Sequence, residues 1–342
     1  MTASQIDEAT AGTTLDGATM SLTGEERAAL QVLARRLSER PPGLVDDHRW
    51  LAAARDQSAE LPLSIRQRLR RFVRDPGPDA LLLLRRLPVE VEALPPTPTR
   101  AESVERHSTP MASALALIAL QLGEPVAFRD EKSGALIQNV VPVAGMESFQ
   151  GNAGSTMLTA HVENAFHVYR PDFVGLLCLR NDHANVAGLQ VASIRRALPL
   201  LSRRTRQVLA EPRFRTGAPA SFGAVDASSP HPVLTGDRAD PDLKVDFVST
   251  RALDDVADAA LRHLADTLND VRRTIVLMPG DLAFVDNRLA AHGRTAFRAR
   301  YDGRDRWLQR VFVHRDLRRS RPARPGDGYV LSSAPGHQSE GE

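Results

Sequence analysis

Hydrophobic positions recur with a helical period through the first third of the chain. Thr23 and Glu26 form the pattern of a capped helix start, and apolar residues follow it at helical spacing. The stretches predicted to be helical are 23–37, 50–73 and 108–122. We predict a mobile tail at residues 1–22, where Thr, Ala, Gly and Asp show little periodicity, and a mostly helical part at 23–122.

A different pattern begins near residue 123, where short apolar runs are separated by Gly, Pro, Asn and Asp, as is typical of strands joined by turns. The predicted strands are 80–84, 137–142, 173–180, 243–248, 274–278, 282–285 and 307–313. An amphipathic stretch near 253–270 predicts an inserted helix. We predict a mainly β fold with flanking helices, a sandwich or barrel, in a single domain over 23–342 that ends in a tail at 316–342.

Composition and charge exclude several classes of protein. The 342 residues include 44 Lys and Arg against 42 Asp and Glu, and the basic residues are scattered, which disfavours a nucleic-acid groove. A single cysteine excludes an internal disulfide framework, and no run of eighteen apolar residues predicts a membrane span. We interpret the chain as a cytoplasmic protein with a small-molecule ligand and no nucleic-acid or membrane partner. The sequence predicts no oligomeric state.

Two short motifs contain candidate metal ligands. His161 and Glu163 stand two residues apart, so on an extended strand both side chains face the same way, and His292 follows another predicted strand. Two imidazoles and one carboxylate leave three positions of an octahedral metal open, as in non-haem Fe(II) oxygenases. A bidentate 2-oxo acid fills two of these positions and dioxygen the third. A zinc hydrolase uses similar ligands, so the residues alone leave the metal open.

Two arginines follow the distal histidine. Arg306 and Arg310 stand four residues apart, so on a strand both face the same side. A guanidinium group is suited to bidentate recognition of a carboxylate. Their proximity to His292 in the chain favours a site for two carboxylic acids over the alternative, a solvated strand face with surface ion pairs.

Longer blocks around these motifs resemble a known family. Residues 161–181, which begin His161-Val162-Glu163-Asn164, and residues 279–310 look like the clavaminate synthase-like Fe(II)/2-oxoglutarate oxygenases, and 138–142 is a shorter match. The matches span about residues 120–315. The nearest resemblance is to hydroxylases of free arginine, asparagine and related amino acids in peptide-antibiotic pathways. It implies a double-stranded β-helix, or cupin-like jelly-roll, core at 123–315, with Fe(II), 2-oxoglutarate and O2 as cofactor and co-substrates.

The resemblance also implies roles for individual residues. The iron ligands it implies are His161, Glu163 and His292. Arg306 falls on the arginine that binds the distal carboxylate of 2-oxoglutarate, and Arg310 on the arginine that binds the substrate α-carboxylate. Gln138 matches a position that contacts the substrate backbone, and the outer oxygen of Glu163 faces the α-ammonium.

Two departures from the family pattern bear on the ligands. Asp246 matches an acidic residue that recognises the substrate side chain, but Val248 stands where arginine hydroxylases often have a second acid. A neutral ureido or carboxamide group, as in citrulline, glutamine or asparagine, is then favoured over a guanidinium. Leu189 and Gln190 stand where the family usually has a threonine that helps hold 2-oxoglutarate. Gln190 is the remaining donor and our candidate for that contact, although on a strand it points to the other face.

Together these features predict an Fe(II)/2-oxoglutarate-dependent hydroxylase of a free L-α-amino acid with an arginine- or citrulline-like side chain. The reaction oxidises Cβ or Cγ and releases succinate and CO2. An amino-acid desaturase of the same family and a metal-dependent hydrolase with the same ligands are the alternatives.

Overall fold

The computed structural model describes residues 17–219, 222 and 228–332. Its α-helices are α1 Gly24–Ser38, α2 His48–Ser58, α3 Leu63–Arg74, α4 Pro110–Ala119, α5 Ile194–Ala197, α6 Arg203–Leu209 and α7 Asp255–Asp270. The predicted start of α1 is confirmed, because Thr23 Oγ1 accepts from the Glu26 backbone N–H and the Glu26 carboxylate accepts from the Thr23 N–H. The inserted helix near 253–270 is also confirmed, as α7.

Seventeen strands are found in the described part of the chain. They are β1 Thr19–Ser21, β2 Leu81–Arg85, β3 Val104–Glu105, β4 Glu124–Phe128, β5 Ile137–Val140, β6 Leu158–His161, β7 Phe173–Arg180, β8 Gly188–Ser193, β9 Phe214–Thr216, β10 Leu234–Gly236, β11 Pro241–Leu243, β12 Thr250–Ala252, β13 Arg273–Val276, β14 Leu282–Asp286, β15 Ala290–Arg294, β16 Trp307–His314 and β17 Val330–Leu331. The bounds predicted for β7 agree with those observed, whereas β8, β15 and several shorter strands were not among the predicted strands.

Two sheets build the core. The major sheet has the order β1-β2-β14-β7-β16-β4-β17, with β5 also paired to β16 and β3 to β5, and the minor sheet has the order β13-β8-β15-β6. Buried side chains of both sheets meet in one hydrophobic cluster, to which Leu83 and Leu308 contribute from the major sheet and Val191 and Ala290 from the minor sheet. Two facing sheets of this kind form the predicted jelly roll, and that prediction is confirmed.

The helical part covers the other face of the major sheet. Leu82 and Leu84 of β2 pack in a second cluster with α1–α4, whereas Leu81 and Leu83 point into the cluster between the sheets. Because β2 is buried on both faces, its apolar residues are continuous rather than alternating. The strand predicted at 80–84 therefore belongs to the major sheet, although it lies within the part predicted to be mostly helical.

Both predicted tails, 1–22 and 316–342, include residues that the structure places in strands. Residues 19–21 form β1, which pairs in parallel with β2, and Leu22 is buried. At the other end β17 pairs with β4 and buries Leu331. Residues 1–16 and 333–342 lie outside the described residues, and the division into a single domain stays a prediction.

The strand predicted at 243–248 is wrong beyond Leu243. The Asp246 carboxylate accepts from the Val248 backbone N–H at 2.8 Å and from Ser249 Oγ at 2.7 Å, so this segment folds into a turn. No helix in the described ranges is long and apolar enough to cross a membrane.

Candidate metal centre

The two predicted histidine ligands lie directly opposite each other on neighbouring strands. His161 ends β6 and pairs with His292 of β15, and their ring centroids are 4.6 Å apart. Glu163 Oε2 lies 3.5 Å from His292 Nε2. One ligand atom from each of the three residues falls within 4.8 Å of the others, so a single ion can reach all three.

Glu163 lies beyond the end of β6, and a buried asparagine holds it in place. The Asn287 side-chain oxygen accepts from the Glu163 backbone N–H at 2.7 Å, and its Nδ2 donates to the Glu163 and Pro171 carbonyl oxygens at 3.0 and 2.9 Å. Asn287 is fully buried in the turn between β14 and β15. Sequence reasoning did not single out this residue, because its partners lie more than a hundred residues away in the chain.

The protonation of these groups fits a divalent metal ion. His161 Nδ1 is 2.9 Å from the Thr159 carbonyl oxygen, which can only accept, so Nδ1 carries the proton and Nε2 keeps its lone pair for a metal. Burial lowers the pKa of His292 and favours the neutral imidazole. Burial alone would raise the pKa of Glu163, but Arg310 and the two imidazoles hold it below its usual value, so the carboxylate is ionised.

A cavity of about 520 Å³ opens beside two of the three candidate ligands. It is lined by His161 and Glu163, by Arg310, and by Asp246 and Val248. The turn that replaces the predicted strand therefore brings Asp246 to the cavity, where an isolated backbone bridge also joins it to His161.

Arg310 is the centre of a charged network in the cavity wall. Its Nη1 donates to Glu163 Oε1 at 3.1 Å, and its Nη2 contacts Glu131. With the Asn152 amide oxygen turned toward Arg310, that oxygen accepts from Nη1 at 3.1 Å. Burial would lower the pKa of Arg310, but Glu131 and Glu163 outweigh it and raise the pKa. Sequence reasoning missed Glu131 and Asn152, because both lie in loops without a local motif.

Gln138 lies beside Arg310 and outside the set of side chains that line the cavity. The two residues are partners in the β5–β16 ladder, and Gln138 Oε1 accepts from Arg310 Nε at 3.1 Å. The structure thus places Gln138 where it orients Arg310, and its predicted contact with the substrate backbone stays a prediction.

Arg306 lies immediately before β16 and is buried, with its guanidinium carbon 5.8 Å from the centre of the Phe297 ring. Among the described residues no carboxylate oxygen lies within 4.0 Å of its nitrogens. Burial lowers the pKa of Arg306. A buried cation without a carboxylate in direct contact is suited to an anionic ligand.

The role predicted for Gln190 does not fit the geometry. In antiparallel pairs, opposed residues share a face. Val191 is opposite His292 and Leu189 is opposite Arg294, so these side chains face the metal side, whereas Gln190 is opposite Gly293 and faces away. Exposed Thr274 of β13 is its other neighbour in the ladder. The correction follows from the alternation of side chains along β8.

A family model described as taurine catabolism dioxygenase TauD, TfdA family matches residues 112–312. The chain belongs to this family. It is 51% identical over 317 residues to the L-asparagine oxygenase of Streptomyces coelicolor, covering 92% of this chain and 95% of that protein. It is 36% identical over 295 residues to clavaminate synthase 2 of Streptomyces clavuligerus, covering 85% of this chain and 90% of that protein.

A solved structure of asparagine oxygenase in complex with Fe(II), 2S,3S-3-hydroxyasparagine and succinate has a TM-score of 0.91 and 50% identity to this chain. The match covers 93% of this TauD/TfdA-family chain and 100% of that structure. The predicted resemblance to clavaminate synthase-like oxygenases, the enzyme class, and the iron and 2-oxoglutarate cofactors are confirmed.

Proposed function

We propose that this chain hydroxylates the Cβ of a free L-α-amino acid with a neutral carboxamide side chain, asparagine above all, with Fe(II), 2-oxoglutarate and O2. The observation that carries the proposal is the charged network of Arg310, Glu131 and Glu163. Its three residues line the same cavity as His161, and one of them, Glu163, is itself a candidate metal ligand. The proposal thereby narrows the side chain expected from the sequence, which was arginine- or citrulline-like, to an uncharged one.

The network is complementary to the common part of an amino acid. Arg310 offers a guanidinium group for the α-carboxylate, and Glu131 and the outer oxygen of Glu163 accept from the α-ammonium. Because the wall already contains charges of both signs, a zwitterion can bind with each of its charges paired. Asn152 borders the same guanidinium group and adds a polar contact.

The side-chain end of the cavity favours an uncharged group. Its carboxylate, Asp246, already accepts from the Val248 N–H and the Ser249 hydroxyl, and Val248 adds only methyl groups. A guanidinium group there would have its charge only partly compensated, whereas an amide N–H needs a single acceptor. The similarity to an L-asparagine oxygenase supports the same preference.

The bound iron, with 2-oxoglutarate and dioxygen, supplies the oxidant for the C–H bond, and the co-substrate leaves as succinate and CO2. His161, Glu163 and His292 would hold the metal, and Arg306 would orient 2-oxoglutarate through its distal carboxylate. Arg310 and Asp246 would hold the two ends of the amino acid. Since the oxidant itself discriminates little between similar C–H bonds, this positioning decides which carbon reacts.

The first test is a titration with 2-oxoglutarate of the iron-loaded protein without oxygen. We expect a weak charge-transfer band in the visible region, because a 2-oxo acid chelates the metal at two positions. The matched variants are His292→Ala, which should lose iron and the band, and His48→Ala, an exposed histidine that should keep both. Iron bound by the wild-type protein without a band would refute the proposal.

The second test measures succinate release with asparagine, glutamine, citrulline and arginine. We expect asparagine to react fastest and arginine about tenfold or more slowly, as expected for one poorly compensated charge. Mass spectrometry should show the gain of one oxygen atom, whereas a desaturase would remove two hydrogen atoms. Equal rates with arginine and asparagine would contradict the assignment of Asp246 and Val248.

The cytoplasmic location and the absence of nucleic-acid and membrane partners stay predictions of the sequence.

A further inference from the structure

A second buried arginine lies next to the metal centre. Arg294 follows His292 by two residues on β15, so both side chains face the interior of the jelly roll. Only 4% of Arg294 is exposed. The mechanism described above does not use this residue.

Its charge is poorly compensated within the described part of the chain. Arg294 Nη2 donates to the Thr156 carbonyl oxygen at 2.9 Å, but its Nε is buried without an acceptor. No carboxylate oxygen of the described residues lies within 4.0 Å of its nitrogens. A neutral carbonyl satisfies one hydrogen bond and leaves the positive charge uncompensated.

Arg306 also has no carboxylate oxygen within 4.0 Å among the described residues, and it lies against the same aromatic ring as Arg294. The guanidinium carbons of Arg294 and Arg306 lie 5.1 and 5.8 Å from the centre of one ring, that of Phe297. Two cations held against one aromatic ring repel each other, and the ring offsets only a small part of that cost. An anion with two acceptor oxygens between them would satisfy both charges and the free Nε.

The neighbouring strand offers no competing donor. Leu189, the residue opposite Arg294 on β8, is apolar, and Gln190 faces away. Beside Leu189, Arg294 is therefore the charged donor that this pair of strands places on the interior face. Planar guanidinium groups bind a carboxylate through two parallel N–H···O bonds.

We propose that Arg294 binds the distal carboxylate of 2-oxoglutarate together with Arg306, as a two-arginine clamp built around Phe297. This inference rests on the proposed function, because it takes 2-oxoglutarate as the ligand. Arg294 contributes to co-substrate affinity and not to binding of the metal or of the amino acid.

The test compares Arg294→Gln with the wild-type protein, both loaded with iron and kept without oxygen so that no turnover occurs. The dissociation constants of 2-oxoglutarate and of pyruvate are read from the charge-transfer band. Pyruvate has the same 2-oxo acid group but no distal carboxylate. We expect Arg294→Gln to weaken 2-oxoglutarate binding about 10- to 100-fold and to leave pyruvate binding unchanged.

Two controls separate the possible outcomes. Arg262→Gln removes an exposed arginine of α7 and should change neither constant. Arg294→Lys keeps a charge and a donor for Thr156, and should fall between wild type and Arg294→Gln. It also serves as the test variant if Arg294→Gln does not fold.

A purely structural role would give a different result. Arg294 ties down Thr156, next to the segment that lines the amino-acid cavity. Losing only that tie would lower the melting temperature and raise the KM for the amino acid, without a selective effect on 2-oxoglutarate. That result, or equal weakening of both 2-oxo acids, would overturn the inference. If the wild-type protein itself gives no band, the proposed function fails, which is a separate outcome.

Discussion

Arg310 and Arg306 stand four residues apart in the chain and have opposite electrostatic surroundings. Arg310 contacts Glu131 and Glu163, which raise its pKa. Burial lowers the pKa of Arg306 more than the more distant Asp182 raises it, and among the described residues no carboxylate oxygen lies within 4.0 Å of its nitrogens. The two residues are 3% and 5% exposed, so the degree of burial does not explain the difference. The surrounding charges explain it.

We propose that the two arginines bind different ligands. At the Arg310 end, charges of both signs are already present, which suits a zwitterion. Near Arg306, Arg294 adds a second positive charge, which suits a carboxylate that brings no positive charge of its own. With the roles that we propose, the two acids of the reaction would meet walls of different charge.

The largest effect is expected from Arg310→Gln. We predict a loss of about 1,000-fold in kcat/KM for asparagine, because a buried, hydrogen-bonded charge is removed. The metal-free variant should also lose about 3–5 kcal/mol of unfolding free energy, since Glu131 and Glu163 then remain buried without their cation. Steady-state kinetics and urea unfolding measure the two effects. The dissociation constant of 2-oxoglutarate should not change, and a large change would break the separation of the two ends.

Arg306→Gln should have the opposite signature. We predict a weakening of 2-oxoglutarate binding by about 100-fold, because a bidentate charge-assisted contact is lost. The metal-free variant should be at least as stable as the wild-type protein, because an unpaired buried cation has been removed. The charge-transfer titration and urea unfolding test both points. A loss of stability like that of Arg310→Gln would show that Arg306 has a structural counter-charge.

The smallest effect concerns the side-chain end of the amino-acid cavity. Val248→Asp places a second carboxylate beside Asp246, and we predict that it raises the rate with arginine relative to asparagine by about tenfold. Val248→Asn introduces a side chain of nearly the same shape as Val248→Asp but without its charge, and it should leave the ratio of the two rates unchanged. Succinate release with both amino acids measures the ratio. The same shift in both variants would mean that shape, and not charge, selects the substrate.

Local signals predicted much of the fold. The capping box at Thr23 and Glu26, the helical spacing of α7 and the bounds of β7 depend on neighbours in the chain and were predicted correctly. The segment after Leu243 was wrong, because Asp246 satisfies backbone and hydroxyl donors in a turn and so competes with strand pairing. β8 and β15 escaped prediction, since their residues are organised by partners elsewhere in the chain.

The residues of the candidate site were likewise predicted only in part. His161, Glu163, His292, Arg306 and Arg310 were singled out from their types and spacing, and the structure brings the first three of them together. Glu131, Asn152, Asn287 and Arg294 were not given roles, because their importance lies in contacts with residues far along the chain.

By itself the sequence determined which residues are candidates to bind a metal and two carboxylic acids, and in what order they occur. Those properties follow from side-chain chemistry and from the alternation of faces along a strand. Only the tertiary structure decided that Arg310 contacts two carboxylates and that Arg306 contacts none among the described residues. It also decided that Gln190 faces away and that Arg294 faces the interior. These outcomes depend on strand register and on burial, because a shift of one residue would exchange the faces and a change in burial would alter the cost of each charge.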